Sequence, residues 1–366
     1  MPFPILQFGT SRFLQAHFDW FVACGYVDGP GTQRIAVVQT TSSRDSARRI
    51  AFFDTGAPYR IHVRGLDNGK PIDRWDTVDS VGRGVDANAD WGAAEKLFLN
   101  ARWIVSNTGD RGYDLDPDDR PDDDPPKSFP AKLTKLLYAR FAASRLAPTL
   151  FPCELIEGNG DKLKGLALDL AAGWGLPQAF QNWLSDDCLW VNSLVDRIVS
   201  APLEPAGAVA EPYALWAVED RPGLVMPCRH PSVVVTNDLK RYERLKLFIL
   251  NLGHTYLAEL WRRRGGAKDE TVRGLLGDAA TLAELNDLFD REVLPAFDGL
   301  GMGDEARAYR ATVIERFRNP FLDHRLADIF ANHAAKKQRR FGGLIALTEQ
   351  NKVAVAQPRL RAALAA

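Results

Sequence analysis

Through the first half of the chain, short β-branched and apolar runs alternate with segments of helical period, the signature of a parallel sheet with crossover helices. A first strand is predicted over 4–8, a helix over 13–22, a second strand over 34–39 and a later strand over 103–106. Residues 110–127 turn to Asp and Pro, with Asp122-Asp-Asp-Pro-Pro126 unable to sustain a helix or a central strand, so a solvated loop is expected. Beyond it, 128–146 reads as a helix, 150–156 as a strand and 161–172 as a helix with leucines at 163, 166 and 170. From about Leu239 strand signals vanish and long helical patterns take over, broken at Gly265-Gly266, 299–303 and Asn319-Pro320. The expected architecture is α/β: a Rossmann-type parallel-sheet domain over 1–236 followed by a mainly α-helical domain over 237–366.

Composition narrows the function. With 366 residues, 46 % hydrophobic and 25 % charged, the chain has material for two domains with substantial cores. A net charge of −1 provides no electrostatic footprint for nucleic acid. No charged n-region opens the chain and no apolar run nears the roughly 18 residues needed to span a bilayer, so a cytoplasmic protein without membrane partners is expected. Nothing marks a dimer seam, so a monomer is expected. Cys24, Cys153, Cys188 and Cys228 are widely spaced, without a Cys-x-x-Cys pair or histidines at zinc-ligand spacing. They read as structural thiols, and no metal site is expected.

Two segments carry candidate chemistry. Phe8-Gly-Thr-Ser-Arg-Phe13 follows the first strand and opens a helix, where backbone N–H groups can meet a pyrophosphate. The usual second glycine is Ser11 and the third is missing, so Gly9 suits a ligand-free turn equally well. The second strand ends in Gln39-Thr-Thr-Ser-Ser-Arg44 instead of an acid for the adenosine ribose, and Arg44 is the residue able to meet a 2′-phosphate. The usual sequence argument for NAD over NADP is thus missing; the cofactor expected is NAD, with NADP not excluded. The second segment is the apolar helix 241–256. At about 100° per residue, Asn251 lies roughly 140° and His254 roughly 80° round from Lys246, placing an amine, an amide and an imidazole on one arc. In a cleft, a desolvated Lys246 could accept a proton while the other two polarise a substrate. Alternatively Lys246 snorkels, and Asn251 and His254 are satisfied interior polar groups.

Seven segments in order resemble the polyol-specific long-chain dehydrogenases, the family of mannitol dehydrogenases and of tagaturonate and fructuronate reductases. They are Ile5-Leu-Gln-Phe-Gly-Thr-Ser-Arg-Phe-Leu-Gln-Ala-His17, Val105-Ser-Asn-Thr108, Ser128-Phe-Pro-Ala-Lys-Leu133, Pro152-Cys-Glu-Leu-Ile-Glu-Gly-Asn-Gly160, Asn192-Ser-Leu-Val-Asp-Arg197, Glu211-Pro-Tyr-Ala-Leu-Trp216 and the Lys246/Asn251/His254 helix. The resemblance implies a cleft between the two domains and metal-independent hydride transfer to a nicotinamide cofactor. It makes Lys246 the general acid/base, Asn251 the hydrogen-bond donor to the reacting oxygen and His254 the substrate-orienting group. It also places Asp196 near the lysine. The implied cofactor contacts are Gly9, Thr10, Ser11 and Phe13 in the first turn, Gln39 and Thr41 after the second strand, and Asn107 and Thr108 near the nicotinamide.

One position departs from the family. Where mannitol-type members carry a catalytic asparagine, this chain has Leu155, and Asn159 is the nearest replacement, although a glycine-flanked asparagine is also an ordinary turn former. The wording around Cys153 and Ser128 resembles the tagaturonate (altronate) reductase branch, implying a sugar acid whose carboxylate needs a basic partner. Arg316, Lys337, Arg339 and Arg340 are the candidates, while His324 reads as part of a helix start. The expected activity is NAD(P)-dependent interconversion of a keto sugar acid and its aldonate. The alternatives are a mannitol or arabinitol 2-dehydrogenase and a non-catalytic nucleotide sensor.

Overall fold

Every residue of Ile5–Phe8 is buried, as is every residue of Ile35–Gln39 and Trp103–Ser106, the pattern of strands covered on both faces of a parallel sheet. The computed structural model describes residues 3–29, 31–109 and 111–365, so the first two residues of the chain and Asp110 of the acidic loop lie outside the described residues. Six strands form this sheet: β1 (Ile5–Phe8), β2 (Ile35–Gln39), β3 (Val81–Asp86), β4 (Trp103–Ser106), β5 (Thr149–Pro152) and β6 (Leu189–Trp190). All pairings are parallel and the order is β3-β2-β1-β4-β5-β6, a doubly wound sheet that reverses direction between β1 and β4. The Rossmann-type expectation holds. Leu6, Phe8, Ile104, Leu133, Leu136 and Leu150 anchor the core on which the helices pack.

The chain separates into two compact units. The first comprises Met1–Val63, Arg74–Ala210 and Ala214–Leu239. Besides the six-stranded sheet it holds strand pairings among Val199–Pro202, Gly207–Ala210 and the base of the hairpin Tyr59–Asp67/Lys70–Val78, up to Val63 and from Arg74, and a three-stranded sheet of Ser193–Asp196, Leu215–Glu219 and Val233–Thr236. The second comprises Arg64–Asp73, Glu211–Tyr213 and Lys240–Ala366. It is helical apart from the two short borrowed segments, with Leu252, Leu257, Leu285, Phe289, Phe341 and Leu344 in its core. Among the described residues no helix is long and apolar enough to cross a membrane.

Three local predictions need correction. The helix expected over 13–22 is two helices, α1 (Arg12–Gln15) and α2 (Phe18–Gly25), because the chain turns at His17. There the Arg197 guanidinium donates to the Ala16 carbonyl and lies over the Trp20 ring, giving the freed backbone oxygen a partner. The strand expected over 150–156 ends at Pro152, and Cys153–Glu157 forms a bend whose backbone and side-chain groups bond elsewhere. The acidic loop is indeed irregular, yet Asp119 is buried and accepts from the Ser128 hydroxyl and the backbone N–H groups of Lys127 and Ser128. It thereby fixes the start of the following helix, Phe129–Ala142.

Candidate active site

Gly9 follows β1 with φ +116°, and a Cβ there would lie 2.6 Å from the Asn107 carbonyl oxygen. Only glycine lets the turns after β1 and β4 approach this closely. Thr10 is buried and donates to the Ser46 hydroxyl at 3.0 Å, while Ser11 caps α1 by accepting from the Leu14 N–H. Phe13 stacks on His17 at 4.8 Å between centroids. After β2, the Gln39 amide nitrogen donates to the Thr41 and Ser43 carbonyls, which orients the side chain and leaves its buried Oε1 without a hydrogen bond. Arg44 is exposed at the start of helix α3 (Arg44–Phe53). A bare glycine turn at the reversal of a doubly wound sheet, with a buried acceptor left open at the end of the next strand, fits a dinucleotide.

After β4, Asn107 donates to the Cys153 carbonyl at 2.6 Å, and Thr108 offers both its N–H and its hydroxyl to Glu154, at 3.1 and 3.0 Å. Glu154 also accepts from Ser106 at 3.1 Å. It thus ties the ends of β4 and β5, a role that motif reading missed because only burial reveals it. Asn159 is fully buried at the first residue of the helix Asn159–Gly173. Its amide donates to the carbonyls of Pro152, Glu154 and Ser193 and accepts from the N–H groups of Gly160 and Ser193. Those bonds exhaust the capacity of one amide, so the geometry argues against Asn159 as a substrate ligand. Leu155, where the family asparagine would stand, is 64 % exposed. Asp196 is buried at the end of the strand Ser193–Asp196, opposite Leu215.

In the second unit the helix that carries Lys246, Asn251 and His254 is not uniform. It consists of the α-helical turn Leu239–Leu245, a π-helical turn over Lys246–Asn251 and the helix Leu252–Arg263. A π turn inserts about one residue into the α ladder and sets back everything beyond it by about 100°. Asn251 therefore lies roughly 40° from Lys246, not 140°, and His254 roughly 20° away on the other side. The three polar groups share a narrower face than α-helical spacing predicts. The Asn251 carbonyl accepts from the Thr255 hydroxyl at 3.0 Å and from Arg340 at 3.1 Å, and Arg340 also bonds the Thr255 hydroxyl at 2.6 Å. The Asn251 side-chain amide makes no hydrogen bond with the described residues, whereas its backbone is doubly held.

His254 is buried against Phe317 at 4.3 Å and His324 at 4.7 Å between ring centroids. Burial, reinforced by the positive field of His324, Arg316, Arg340 and Lys336, pushes its pKa well below the usual imidazole value. It is a neutral ring, able to donate from one nitrogen and accept at the other. The basic candidates divide. Arg316 is buried and bidentate on Glu211 at 3.0 and 2.8 Å, with its guanidinium over Tyr213, and Lys337 is buried on the Ala363 carbonyl at 2.8 Å. Both are committed internally. Arg340 is half-buried beside Asn251, and Arg339 is exposed.

Two family models match the chain: the mannitol dehydrogenase Rossmann domain over residues 4–225 and the mannitol dehydrogenase C-terminal domain over residues 238–365. Among curated relatives, an altronate oxidoreductase of Bacillus subtilis (strain 168) is 32 % identical over 367 residues, covering 93 % of this chain and 74 % of that protein. An altronate oxidoreductase of Klebsiella pneumoniae (strain 342) is 33 % identical over 390 residues, covering 100 % and 79 %. Two solved structures share the fold. A D-sorbitol dehydrogenase in substrate-free form superposes with a TM-score of 0.81 at 21 % identity, covering 99 % of this chain and 79 % of its own. The Pseudomonas fluorescens mannitol 2-dehydrogenase, in a ternary complex with NAD and D-mannitol, has a TM-score of 0.73 at 18 % identity, covering 100 % and 84 %.

Proposed function

The chain belongs to the mannitol dehydrogenase family and so is an NAD-dependent alcohol dehydrogenase, and we propose that it interconverts a keto sugar acid and its aldonate, of the tagaturonate/altronate kind, with Lys246 as general acid/base. The observation that carries this reading is the face shared by Lys246, Asn251 and His254, drawn together by the π turn. Relatives named altronate oxidoreductase, aligned along nearly the whole chain, support a sugar acid over a neutral polyol.

The Gly9 turn, Gln39 and the Asn107–Thr108 segment would hold NAD, which when bound supplies the hydride acceptor. The remaining work belongs to side chains of the second unit. In oxidation the substrate hydroxyl is held by the Lys246 amine and the Asn251 amide, and the neutral amine takes its proton as the C–H bond breaks. Asn251 stabilises the developing alkoxide because its backbone is already fixed by Thr255 and Arg340, so the donor does not have to reorganise. Neutral His254 donates to one substrate hydroxyl and accepts from another without adding a charge. In reduction Lys246 returns the proton. With Arg316 and Lys337 committed elsewhere, Arg339 and Arg340 are the residues left to meet the carboxylate.

The test follows NADH oxidation with tagaturonate, fructuronate and fructose, using wild type and Lys246→Ala. Turnover of a keto-uronate is expected, with kcat lowered by about 10²–10⁴-fold in the variant and the NADH dissociation constant unchanged. Turnover of fructose alone would transfer the protein to the polyol branch. A variant with near-normal kcat would remove Lys246 from the mechanism.

A further inference from the structure

Glu154 lies immediately beyond β5 and is 3 % exposed, yet no arginine, lysine or histidine among the described residues pairs with it. Its Oε1 accepts the Thr108 N–H and hydroxyl, and its Oε2 accepts the Ser106 hydroxyl. Tyr113 stands 3.4 Å from Oε2, but its hydroxyl is better placed for the Asn159 carbonyl at 3.0 Å. An isolated buried carboxylate is costly and normally acquires a cation or a proton. Burial raises the Glu154 pKa, and the bonds from Ser106 and Thr108 pull it back. Those neutral donors favour the ionised form and leave its charge uncancelled, while burial opposes it and prevails in raising the pKa.

The position of this charge gives it a use. In a sheet of order β3-β2-β1-β4-β5-β6, one mononucleotide occupies the carboxyl ends of β1–β3 and the other those of β4–β6. With the pyrophosphate turn at Gly9 after β1, the second half receives the nicotinamide, and Glu154 borders that half. The oxidised ring carries one positive charge that the reduced ring lacks. We propose that Glu154 is a fixed counter-charge for the oxidised nicotinamide, strengthening the binding of NAD⁺ relative to NADH. This rests on the NAD assignment made above. A neutral tie between strand ends would need no charge there, since an amide could accept from Thr108 and donate to Ser106.

The test is the pair of dissociation constants for NAD⁺ and NADH, measured by calorimetry on wild type and Glu154→Gln without substrate. Glutamine keeps the shape and removes the charge. At an effective dielectric near 20, a unit charge about 10 Å away shifts affinity by about tenfold or somewhat more. The expected result is therefore NAD⁺ bound about tenfold more weakly by Glu154→Gln, with NADH within about twofold of wild type. Equal weakening of both cofactors would show a structural tie only and overturn the proposal. Should the variant not fold, a wild type binding NADH more than about tenfold tighter than NAD⁺ would overturn it as well. Failure of the wild type to bind either cofactor would instead strike the NAD assignment, and the proposal would fall with it.

Discussion

At the residue scale, Asp19 makes a pH-dependent contribution to stability. Its carboxyl is fully buried in α2; one oxygen accepts from the Tyr59 hydroxyl at 2.7 Å and the other has no hydrogen bond. Burial drives its pKa up to about 7, against the pull of the hydrogen bond from Tyr59. The folded state therefore holds a proton that the unfolded chain releases near pH 4, so folding stability declines as pH rises from about 4 to 7. The contribution amounts to at most about 4 kcal/mol. In Asp19→Asn this decline should flatten, as read from urea unfolding at pH 4, 5.5 and 7. A slope identical to wild type would exclude Asp19 as its source. Glu259 has the opposite sign: burial raises its pKa, but bonds from Arg262, His333 and Arg263 prevail and hold it at about 2. Its contribution is full above about pH 4.5 and is lost on acidification towards 2. Such environments are the part of the site that letters do not carry. The Gly9 turn was legible because a turn's chemistry is local, whereas the Ser11 cap emerged only with the structure. Glu154 was missed, and Asn159 was offered a catalytic role, because both depend on which distant backbone groups surround them.

At the element scale, four of the six parallel strands, β1, β2, β4 and β5, and the helices Phe129–Ala142 and Asn159–Gly173 were legible from period, whereas β3 and β6 were not. The break at Ala16–His17 was not, since its partner Arg197 lies far along the chain. The π turn was equally hidden, because Lys246–Asn251 has apolar spacing compatible with an ordinary α-helix. It packs against the two other π turns of this unit, Phe289–Val293 and Gln338–Gly342, and Arg340 of the latter holds the Asn251 carbonyl. If the wide turn is what gathers the three functional groups, deleting Leu247 should restore continuous α spacing and rotate Lys246 away from Asn251 and His254 by about 100°. Helicity should be retained while kcat falls at least about a hundredfold. A deletion variant that is folded by circular dichroism and retains wild-type turnover would show that the face does not need the π turn.

At the scale of the whole molecule, period and composition suggested one boundary near residue 237, whereas the second unit also takes in Arg64–Asp73 and Glu211–Tyr213. No local pattern marks these segments. Their membership comes from what meets them: Asn319 donates to the Arg64 carbonyl, Glu315 accepts the backbone N–H groups of Asn68 and Gly69, and Arg316 is buried on Glu211. A Cβ on Gly65 would lie 2.5 Å from Pro212 and 2.8 Å from the Asn319 amide, so these pieces pack at backbone distance. A fragment beginning at residue 238 contains every helix from Leu239 onward but strands Arg316 without its carboxylate. Removing one partner of a buried ion pair costs about 3–5 kcal/mol, a large share of the roughly 5–15 kcal/mol that stabilises an ordinary domain. The fragment should therefore melt at markedly lower urea than the full chain, or lack a cooperative transition. Arg316→Leu within it should restore part of the loss by removing the stranded charge, although in the intact protein the same change removes both Arg316 bonds from buried Glu211 and should destabilise. Opposite signs for one substitution in two contexts, measured by urea unfolding, would identify Glu211 as the missing partner. A fragment as stable as the full chain would mean that the helical unit is complete without the borrowed segments.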